Sequence, residues 1–316
     1  MTESLVVGVD AGATSTRVAV HALDGTRVGY ARAGAGNPTA HGLGKAVANV
    51  AAALGEALGT HDGRRVVASL TGVAGHVAEM VPELAKVWAG HGIGEGPRYM
   101  GDTPIAYAAG SPEPDGSLLL SGTGAVAARI VDFRLDAIAD GLGWLLGDEG
   151  SGFWIGRQAV KEVVGALDRG APPTGALAEL VVEHFLGEER PAVPRAVADR
   201  IVRLAQADHM RLAALSSLVS QAAEAGDEAA LKVTREAAER LVATLGRVHV
   251  SGPVVLAGSV LTSEGPVRQA VVKLLADKNV TTAGDAAGAA AWLAARDLLP
   301  EADAKALHAA FTAVSP

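Results

Sequence analysis

The 316-residue sequence contains no cysteine. Disulfide bonds, cysteine-ligated zinc and cysteine-ligated iron–sulfur clusters are therefore excluded. Aromatic residues make up only 3% of the chain, whereas hydrophobic residues make up 49% and charged residues 20%. We therefore expect a large core filled mainly by alanine, valine, leucine and glycine, in a chain long enough for two domains.

Basic residues are fewer than acidic ones, at 27 against 35, which gives a net charge of −8. This balance argues against non-specific binding of nucleic acid, because such binding needs a basic surface. No run of about 18 apolar residues is free of charge, and no basic segment followed by an apolar one marks a secretory signal. We therefore expect no association with membranes and a cytoplasmic protein.

Residues 5–20 contain two β-branched runs separated by small and hydroxyl residues, a pattern that predicts a strand, a tight turn and a second strand. Asp10 ends the first run, and Gly12 is followed by Thr14, Ser15 and Thr16. The amides and hydroxyls of such a loop bind anions, and a neighbouring carboxylate can hold a hydrated divalent cation. An ordinary hairpin with a polar turn explains the same residues. The segment matches neither the P-loop nor the dinucleotide-binding pattern.

Strands and helices are predicted to alternate along both halves of the chain, which favours an α/β fold with mixed sheets. In the first half we expect a third strand at 27–33, a loop at 34–40, helices at 42–58, 77–89 and 105–109, and strands at 65–70 and 98–100. The second half opens with the same strand–turn–strand pattern at 117–131, with a further strand at 134–139. Then come a helix ending near 167, three or four helices over 176–248, strands at 254–257 and 279–282, and helices at 267–276, 286–298 and 301–313.

Several predicted strands end in loops of small residues, and three of these loops carry an aspartate. Ligands of open α/β sheets bind at the carboxyl ends of strands, so these loops are the candidate site. They comprise Asp10, Gly72–Gly75, Asp102, Gly122–Gly124, Asp148 and Gly258–Ser259.

Five of these segments, in order and spacing, resemble the N-acetylglucosamine kinase branch of the sugar-kinase, actin and heat-shock-chaperone superfamily, which also holds the BadF/BadG/BcrA/BcrD ATPases. Residues 10–17 match the first phosphate loop and residues 101–103 match the segment of the catalytic aspartate. Residues 121–124 match the second phosphate loop, 147–152 the sugar-site motif and 257–260 the adenosine motif. The resemblance covers essentially the whole chain.

The resemblance implies two actin-like (ribonuclease H-like) lobes, each with a mixed sheet flanked by helices, and a ligand cleft between them. The lobes would span residues 1–112 and 113–316, with the last helices packing back on the first lobe. It also implies ATP and Mg²⁺ as cofactors, a homodimer, and phosphorylation of an amino sugar at its 6-hydroxyl.

The residue roles implied by the resemblance divide into four groups. Asp102 would be the general base, and Asp10 would hold Mg²⁺ through water. The groups binding ATP would be Gly12, Thr14, Ser15, Gly122, Thr123, Gly124, Gly258 and Ser259, with residues 219–224 forming the other edge of the adenosine pocket. The groups binding the sugar would be Asn37, Gly72, Asp102, Gly141, Leu142, Gly143 and Asp148.

The sequence departs from the family pattern where relatives carry Gly-Trp-Gly, because it has Gly141-Leu142-Gly143 followed by Trp144. The loop at 71–76 also ends in His76 rather than in an acidic or small polar residue. Both N-acetylglucosamine and glucosamine therefore remain open as substrates, as do another hexose and another N-acetylated sugar. An activator ATPase needs cluster-binding cysteines and is excluded, whereas a non-catalytic sugar-binding or ATP-binding regulator remains a competing hypothesis.

Several candidate residues also have purely structural interpretations. Asp102 is suited to cap a helix at its N-terminus, and Asn37 before Pro38 is typical of a turn. Asp148 and Glu149 fit the first turn of a helix, where we favour Asp148 as a ligand and Glu149 as a structural residue. His76 fits a loop or capping residue, and Trp144 fits either the core or a stack on a sugar face.

Overall fold

A computed structural model of the chain describes residues 4–75 and 77–314. These residues form two compact units. The first contains the described residues up to Asp115, together with Ile130–Leu135 and the described residues from Thr281 onward. The second contains Gly116–Arg129 and Asp136–Val280. The ligand cleft expected between two lobes stays a prediction.

The strands of the described chain are β1 (Leu5–Ala11), β2 (Thr16–Ala22), β3 (Arg27–Ala33), β4 (Val66–Val73), β5 (Arg98–Gly101), β6 (Gly116–Ser121), β7 (Ala125–Val131), β8 (Arg134–Asp140), β9 (Val254–Ala257) and β10 (Val280–Thr282). The helices are α1 (Pro38–His41), α2 (Leu43–Leu58), α3 (Met80–Gly90), α4 (Asp102–Ala108), α5 (Gly143–Leu146), α6 (Gly152–Asp168), α7 (Ala176–Leu186), α8 (Pro194–Ala207), α9 (Met210–Ala214), α10 (Ser216–Glu224), α11 (Glu228–Gly246), α12 (Ser259–Thr262), α13 (Pro266–Leu274), α14 (Ala286–Ala295) and α15 (Glu301–Thr312). Short 3₁₀ turns cover Gly63–Arg65 and Arg296–Leu298.

The two units have sheets of matching strand order, which confirms the predicted architecture of two lobes with mixed sheets flanked by helices. The order is β3-β2-β1-β4-β5 in one sheet and β10-β9-β6-β7-β8 in the other. In the first, β1 is antiparallel to β2 and parallel to β4, and in the second β6 is parallel to β9. Each sheet therefore begins with a three-strand meander and continues through helical crossovers, as the repeated strand–turn–strand pattern predicted.

The central strand β1 carries helices on both of its faces because its side chains alternate. Val7 and Val9 belong to a core that includes Leu54 of α2 and Trp88 of α3. On the opposite face, a Cβ atom at Gly8 would lie 2.0 Å from the carbonyl oxygen of Ala287. Glycine at this position therefore lets α14 pack directly on the strand that carries Asp10 near its carboxyl end.

Several predicted boundaries were wrong. The expected loop at 34–40 contains the start of α1, which begins at Pro38, and β4 continues through residues 71–73 because it pairs with both β1 and β5. The fully described segment 176–246 forms five helices rather than three or four. Its extra breaks fall in Ala-rich sequence, where the apolar pattern runs on without a strong stop signal. The short helices α5 and α12 were not predicted.

Among the described residues, no helix combines the length and apolar character needed to cross a bilayer.

Candidate active site

Asp10 occupies the carboxyl end of β1, opposite Arg17 on β2 and Gly72 on β4. One carboxylate oxygen accepts a bond from Arg17 Nη1 at 3.2 Å, and the side chain is only 14% exposed. Burial raises the pKa of Asp10 to about 6, against the lowering effect of Arg17, and the charges of Asp102 and Asp285 add to the rise. Asp10 is therefore a poorly solvated carboxylate that a cation would stabilise.

Asp102 and Asp285 each stand at the start of a helix in the first unit. Asp102 is the first residue of α4 and the N-cap is Gly101, so the interpretation of Asp102 as the cap was wrong. Burial raises the pKa of Asp102, while its own amide and the amide and hydroxyl of Thr103 lower it. Asp285 caps α14 by accepting from the amide of Ala287 at 3.1 Å, and burial raises its pKa as well.

Asp285 was missed by the sequence analysis. The Asp-Ala-Ala-Gly sequence at 285–288 indicates a helix cap, and no local pattern indicates that the carboxylate lies within electrostatic range of Asp10.

The loop at residues 12–15 between β1 and β2, which we call the first loop, is held by its backbone. The amide of Gly12 donates to the carbonyl of Ser15 at 2.9 Å, and Gly36 donates to the carbonyl of Gly12 at 3.0 Å. Thr14 is exposed, whereas Ser15 is 5% exposed. Thr16 is fully buried, and its hydroxyl has no hydrogen-bond partner among the described residues. Of the three hydroxyl residues, Thr14 is thus the one presented to a ligand.

Asn37 and Gly72 have clear structural contacts. The side-chain oxygen of Asn37 accepts from the amide of Ala40 at 3.0 Å and so caps α1, which leaves the side-chain nitrogen as the group suited to a ligand. Thr39 of the same helix donates to the carbonyl of Gly75 at 2.8 Å. A Cβ atom at Gly72 would lie 2.3 Å from Ile105 Cδ1, so this glycine allows α4 to pack on β4. His76 lies outside the described residues.

Residues 121–124 between β6 and β7, the second loop, are the counterpart of the first loop in the second unit. The amide of Gly122 donates to the carbonyl of Gly124 at 2.9 Å, and Thr123 is exposed like Thr14. The amide of Gly152, at the start of α6, donates to the carbonyl of Gly122 at 2.7 Å. A Cβ atom at Gly258, which has a φ of +81°, would lie 2.4 Å from the carbonyl oxygen of Ser121. The second loop and Gly258 are therefore in direct backbone contact.

Asp148 lies beside the second loop, because a Cβ atom at Gly124 would be 2.8 Å from its Oδ2 atom. Its backbone has a left-handed φ of 55°. The two carboxylate oxygens of Asp140 accept from the amides of Asp148 and Glu149, each at 2.8 Å. Burial raises the pKa of Asp148, with a further contribution from Asp140, while the amides of Ala125 and Gly143 lower it.

Asp140 was also missed by the sequence analysis, although it fixes the turn that presents Asp148. Glu149 pairs with Arg240 of α11, in agreement with the structural role favoured for it.

The loop at residues 141–147 precedes Asp148 and contains α5. Gly141 and Gly143 have φ values of 70° and 81°, which favour glycine. Leu142 is 66% exposed, whereas the ring of Trp144 stacks on that of His209 with centroids 4.7 Å apart. Trp144 is 42% exposed, so it is not a core residue.

A cavity of about 450 Å³ adjoins the Gly258 turn in the second unit. It lies between α10, which contributes Ser220, Gln221 and Glu224, and the segment of Ser259 to Gly265. Its volume falls within the range of small-molecule sites, roughly 300–1,000 Å³. Residues 219–224 were predicted to form the other edge of the adenosine pocket. Val219 is fully buried, so it does not line the cavity.

These features fit ATP and Mg²⁺. The exposed hydroxyls of Thr14 and Thr123 suit phosphate oxygens, and the cavity beside Gly258 and Ser259 is large enough for adenosine. The amides of Gly12 and Gly122, which we expected to bind phosphate, donate instead to the carbonyls of Ser15 and Gly124. The described residues contain no group of three metal-ligating side chains. Mg²⁺ commonly keeps several waters and binds through one or two carboxylates plus substrate phosphates, and the buried Asp10 carboxylate fits that mode.

The chain is similar in sequence and in fold to several known proteins. The chain is 26% identical over 255 residues to the N-acetyl-D-glucosamine kinase of Dictyostelium discoideum, covering 76% of this chain and 78% of that protein. The fold resembles that of a Chromobacterium violaceum protein assigned as an N-acetylglucosamine kinase, with 23% identity, a TM-score of 0.70 and coverage of 93% and 99%. It also resembles a ROK family glucokinase from Streptomyces griseus, with 20% identity, a TM-score of 0.57 and coverage of 92% and 99%. The sequence profile of the BadF/BadG/BcrA/BcrD ATPase family matches residues 7–291, and the chain belongs to that family.

Proposed function

We propose that the protein is an ATP-dependent sugar kinase that phosphorylates an amino sugar, N-acetylglucosamine or glucosamine, at its 6-hydroxyl. The observation that carries this proposal is the pair of carboxylates in the first unit. Asp10 is the penultimate residue of β1 and precedes a loop of the kind that binds anions, and Asp102 begins α4 within electrostatic range of Asp10. The Dictyostelium relative and the family membership support the same reaction class.

In this proposal Asp102 is the general base. Its carboxylate accepts the proton of the attacking sugar hydroxyl while the γ-phosphoryl group passes to the sugar oxygen and ADP leaves. Burial raises the pKa of Asp102 and so strengthens it as a base. Phosphoryl transfer depends mainly on positioning and charge stabilisation, so one well-placed base and a set of phosphate ligands suffice.

The remaining roles follow the chemistry of each group. Asp10 would hold the hydration shell of Mg²⁺, which when bound neutralises phosphate charge. Thr14, Thr123 and Gly124 are assigned to the phosphates as direct ligands, and Gly258 and Ser259 to adenosine. Gly12, Ser15 and Gly122 shape the two phosphate loops through their backbone bonds. Asn37, Gly72, Gly141–Gly143 and Asp148 are assigned to the sugar. Ser15 and Gly72 are buried, so the proposal gives them backbone roles. The homodimer and the cytoplasmic location remain predictions.

The substrate is tested by ADP release in the presence of Mg²⁺ and a panel of sugars. The panel contains N-acetylglucosamine, glucosamine, N-acetylmannosamine, N-acetylmuramic acid and glucose. It therefore tests whether the site, including the loop at residues 141–147, accepts a free amine, an acylated amine or an unsubstituted hexose. Stimulation by an amino sugar, with a 6-phosphate product identified by NMR, supports the proposal. ATP turnover that no sugar stimulates rejects it. Sugar binding without turnover would instead favour a non-catalytic regulator.

The role of Asp102 is tested by Asp102→Asn, which keeps the shape and removes the base. We expect turnover to fall by about 10²- to 10⁴-fold while the sugar still binds in calorimetric titration. Asp303→Asn, an exposed aspartate in the first turn of α15, is the matched control and should leave the rate unchanged. A near-normal rate for Asp102→Asn would remove Asp102 from its assigned role.

A further inference from the structure

The helix α5 in the 141–147 loop cannot maintain its own conformation. It has four residues, and no side chain caps its N-terminus. A single helical turn is unstable alone, because nucleation fixes several residues for one hydrogen bond. Leu142, Leu145 and Leu146 are 66%, 66% and 79% exposed, so they contribute little packing. Asp140 fixes the carboxyl end of the loop through the amides of Asp148 and Glu149, and the contacts of Trp144 hold its helical turn.

Trp144 packs against two rings outside the loop. Its ring centroid lies 4.7 Å from that of His209, with an angle of 27° between the planes, and 5.1 Å from that of Phe153. Its carbonyl also accepts from Arg157 Nη1 at 3.3 Å. Phe153 and Arg157 belong to α6, whereas His209 comes from the turn before α9, some 60 residues downstream.

His209 is held in place by the packing of α9 against α6. A Cβ atom at Gly156 would lie 1.8 Å from the carbonyl oxygen of Leu212, so the two helices are in backbone contact. The amide of Leu212 donates to the carbonyl of His209 at 3.0 Å. On its other side, α9 is tied to α7, because His184 Nε2 lies 3.0 Å from the carbonyl oxygen of Arg211. The imidazole of His209 therefore projects from a rigid support.

The position of Trp144 bears directly on Asp148. Gly143, the preceding residue, directs its amide to the Asp148 carboxylate and its carbonyl accepts from the amide of Gly147 at 2.8 Å. We infer that His209 is a positioning residue for sugar binding, which acts by stacking on Trp144 and so fixing the loop that presents Gly143 and Asp148. This inference rests on the proposed function, in which Asp148 binds the sugar.

The test compares His209→Ala, which removes the stack, with His209→Phe, which keeps a ring. N-acetylglucosamine and glucosamine are the probes, and the KM of the sugar, the KM of ATP and kcat are measured separately. An aromatic pair contributes enough for us to expect a rise in the sugar KM of about 5- to 10-fold for His209→Ala. The KM of ATP should stay within about twofold, and His209→Phe should recover most of the sugar affinity.

His184→Ala is the matched control, because it loosens α9 without touching Trp144. If His209 had a purely structural role, His209→Ala and His184→Ala would change the KM of the sugar to the same extent. A second readout is acrylamide quenching of tryptophan fluorescence, to which Trp144 contributes most of the accessible signal. It is 42% exposed, whereas Trp88, Trp154 and Trp292 are at most 2% exposed. We expect His209→Ala to increase quenching in the absence of sugar, and His209→Phe to leave it near the wild-type value.

The outcomes separate the two proposals. If wild-type protein turns over the sugar and His209→Ala keeps its KM within twofold, the inference about His209 is overturned while the kinase proposal stands. Equal KM changes for His209→Ala and His184→Ala also overturn it. If the wild type neither binds nor phosphorylates any sugar, the proposed function fails, and the role of His209 fails with it.

Discussion

At the scale of single residues, Asp10 is placed where its charge destabilises the protein in the absence of ligands. Its side chain is 14% exposed and its pKa is raised to about 6, mainly by burial. We predict that Asp10→Asn stabilises the ligand-free protein at pH 7 by about 2 kcal/mol, because the amide needs no charge solvation. Kinase activity should be lost, because the amide cannot replace the carboxylate that is proposed to hold hydrated Mg²⁺. Such a gain of stability at the expense of activity is common at functional sites.

Thermal unfolding without nucleotide measures this effect. Asp24→Asn is its control, because Asp24 is exposed and asparagine keeps the side-chain oxygen that accepts from the amide of Thr26 at 2.8 Å. The control should unfold within a degree or two of the wild type, since exposed substitutions change stability little. A lower unfolding temperature for Asp10→Asn would show that its bond to Arg17 outweighs the cost of burial.

Asp140 holds the turn that carries Asp148 through two hydrogen bonds to backbone amides. Its oxygens accept from the amides of Asp148 and Glu149 at 2.8 Å each. We predict that Asp140→Ala raises the sugar KM by about tenfold, because each lost charged hydrogen bond contributes on the order of 1.5 kcal/mol or more. The KM is measured by steady-state kinetics with the sugar of the panel that gives the highest turnover. Asp136→Ala, an exposed neighbour on β8, should leave that KM unchanged.

The sequence indicated the residues that carry local motifs and missed those that act across the fold. Asp10, Asp102 and Asp148 stand in short patterns of small residues, so they could be found without a structure. Asp140 and Asp285 occupy positions typical of turns and helix caps. Their importance arises because β8 and α14 bring them beside Asp148 and Asp10, and such tertiary contacts leave no local pattern.

At the scale of elements, the site depends on backbones that approach too closely for a side chain. A Cβ atom at Gly258 would lie 2.4 Å from the carbonyl oxygen of Ser121, and its φ is +81°. We predict that Gly258→Ala destabilises the protein by about 2 kcal/mol or more and raises the KM of ATP, because the turn must move away from the second loop. Urea unfolding and ATP kinetics measure the two effects.

Gly246→Ala is the matched control for this substitution. Gly246 ends α11, and a Cβ atom there would meet nothing within 4 Å. Alanine in a helix is favoured over glycine by up to about 1 kcal/mol, so this variant should be as stable as the wild type or slightly more so. Equal destabilisation by both substitutions would refute the role assigned to contact at Gly258.

Element prediction succeeded where β-branched runs were bounded by turns and was weaker in alanine-rich helices. The strands at 27–33 and 254–257 have the predicted bounds. By contrast, α14 is buried on all sides, so it lacks the alternation that would reveal which face packs on β1. Its contact at Gly8 became visible only in the fold.

At the scale of the whole molecule, two buried groups make stability depend on pH in opposite directions. His21 is fully buried and stacks on Phe311 of α15, and its pKa is lowered to about 4, mainly by burial. Its Nδ1 lies 3.0 Å from the carbonyl oxygen of Gly25, while Nε2 has no partner among the described residues. Protonation would therefore leave a buried N–H group unpaired.

Between pH 6.5 and 4 the unfolded chain binds a proton at His21 that the folded protein does not, so the His21 contribution to stability is lost as the pH falls. Asp10 acts oppositely, because between pH 6 and 3.8 the folded protein binds the extra proton and gains stability. From pH 7 to 5 the loss from His21 is about 2 kcal/mol and the gain from Asp10 about 1 kcal/mol, by linkage. These two contributions therefore partly offset each other in the wild type.

Variants separate the two contributions when each is compared with itself at pH 7 and pH 5 by urea unfolding. His21→Leu should lose about 2 kcal/mol less than the wild type over this interval, whatever its stability at pH 7, because it has no imidazole to protonate. Asp10→Asn should lose about 1 kcal/mol more than the wild type, because it lacks the carboxylate that gains a proton. Parallel pH dependence in all three proteins would mean that neither group titrates abnormally in the fold. A steeper loss for His21→Leu would reverse the sign assigned to the buried histidine.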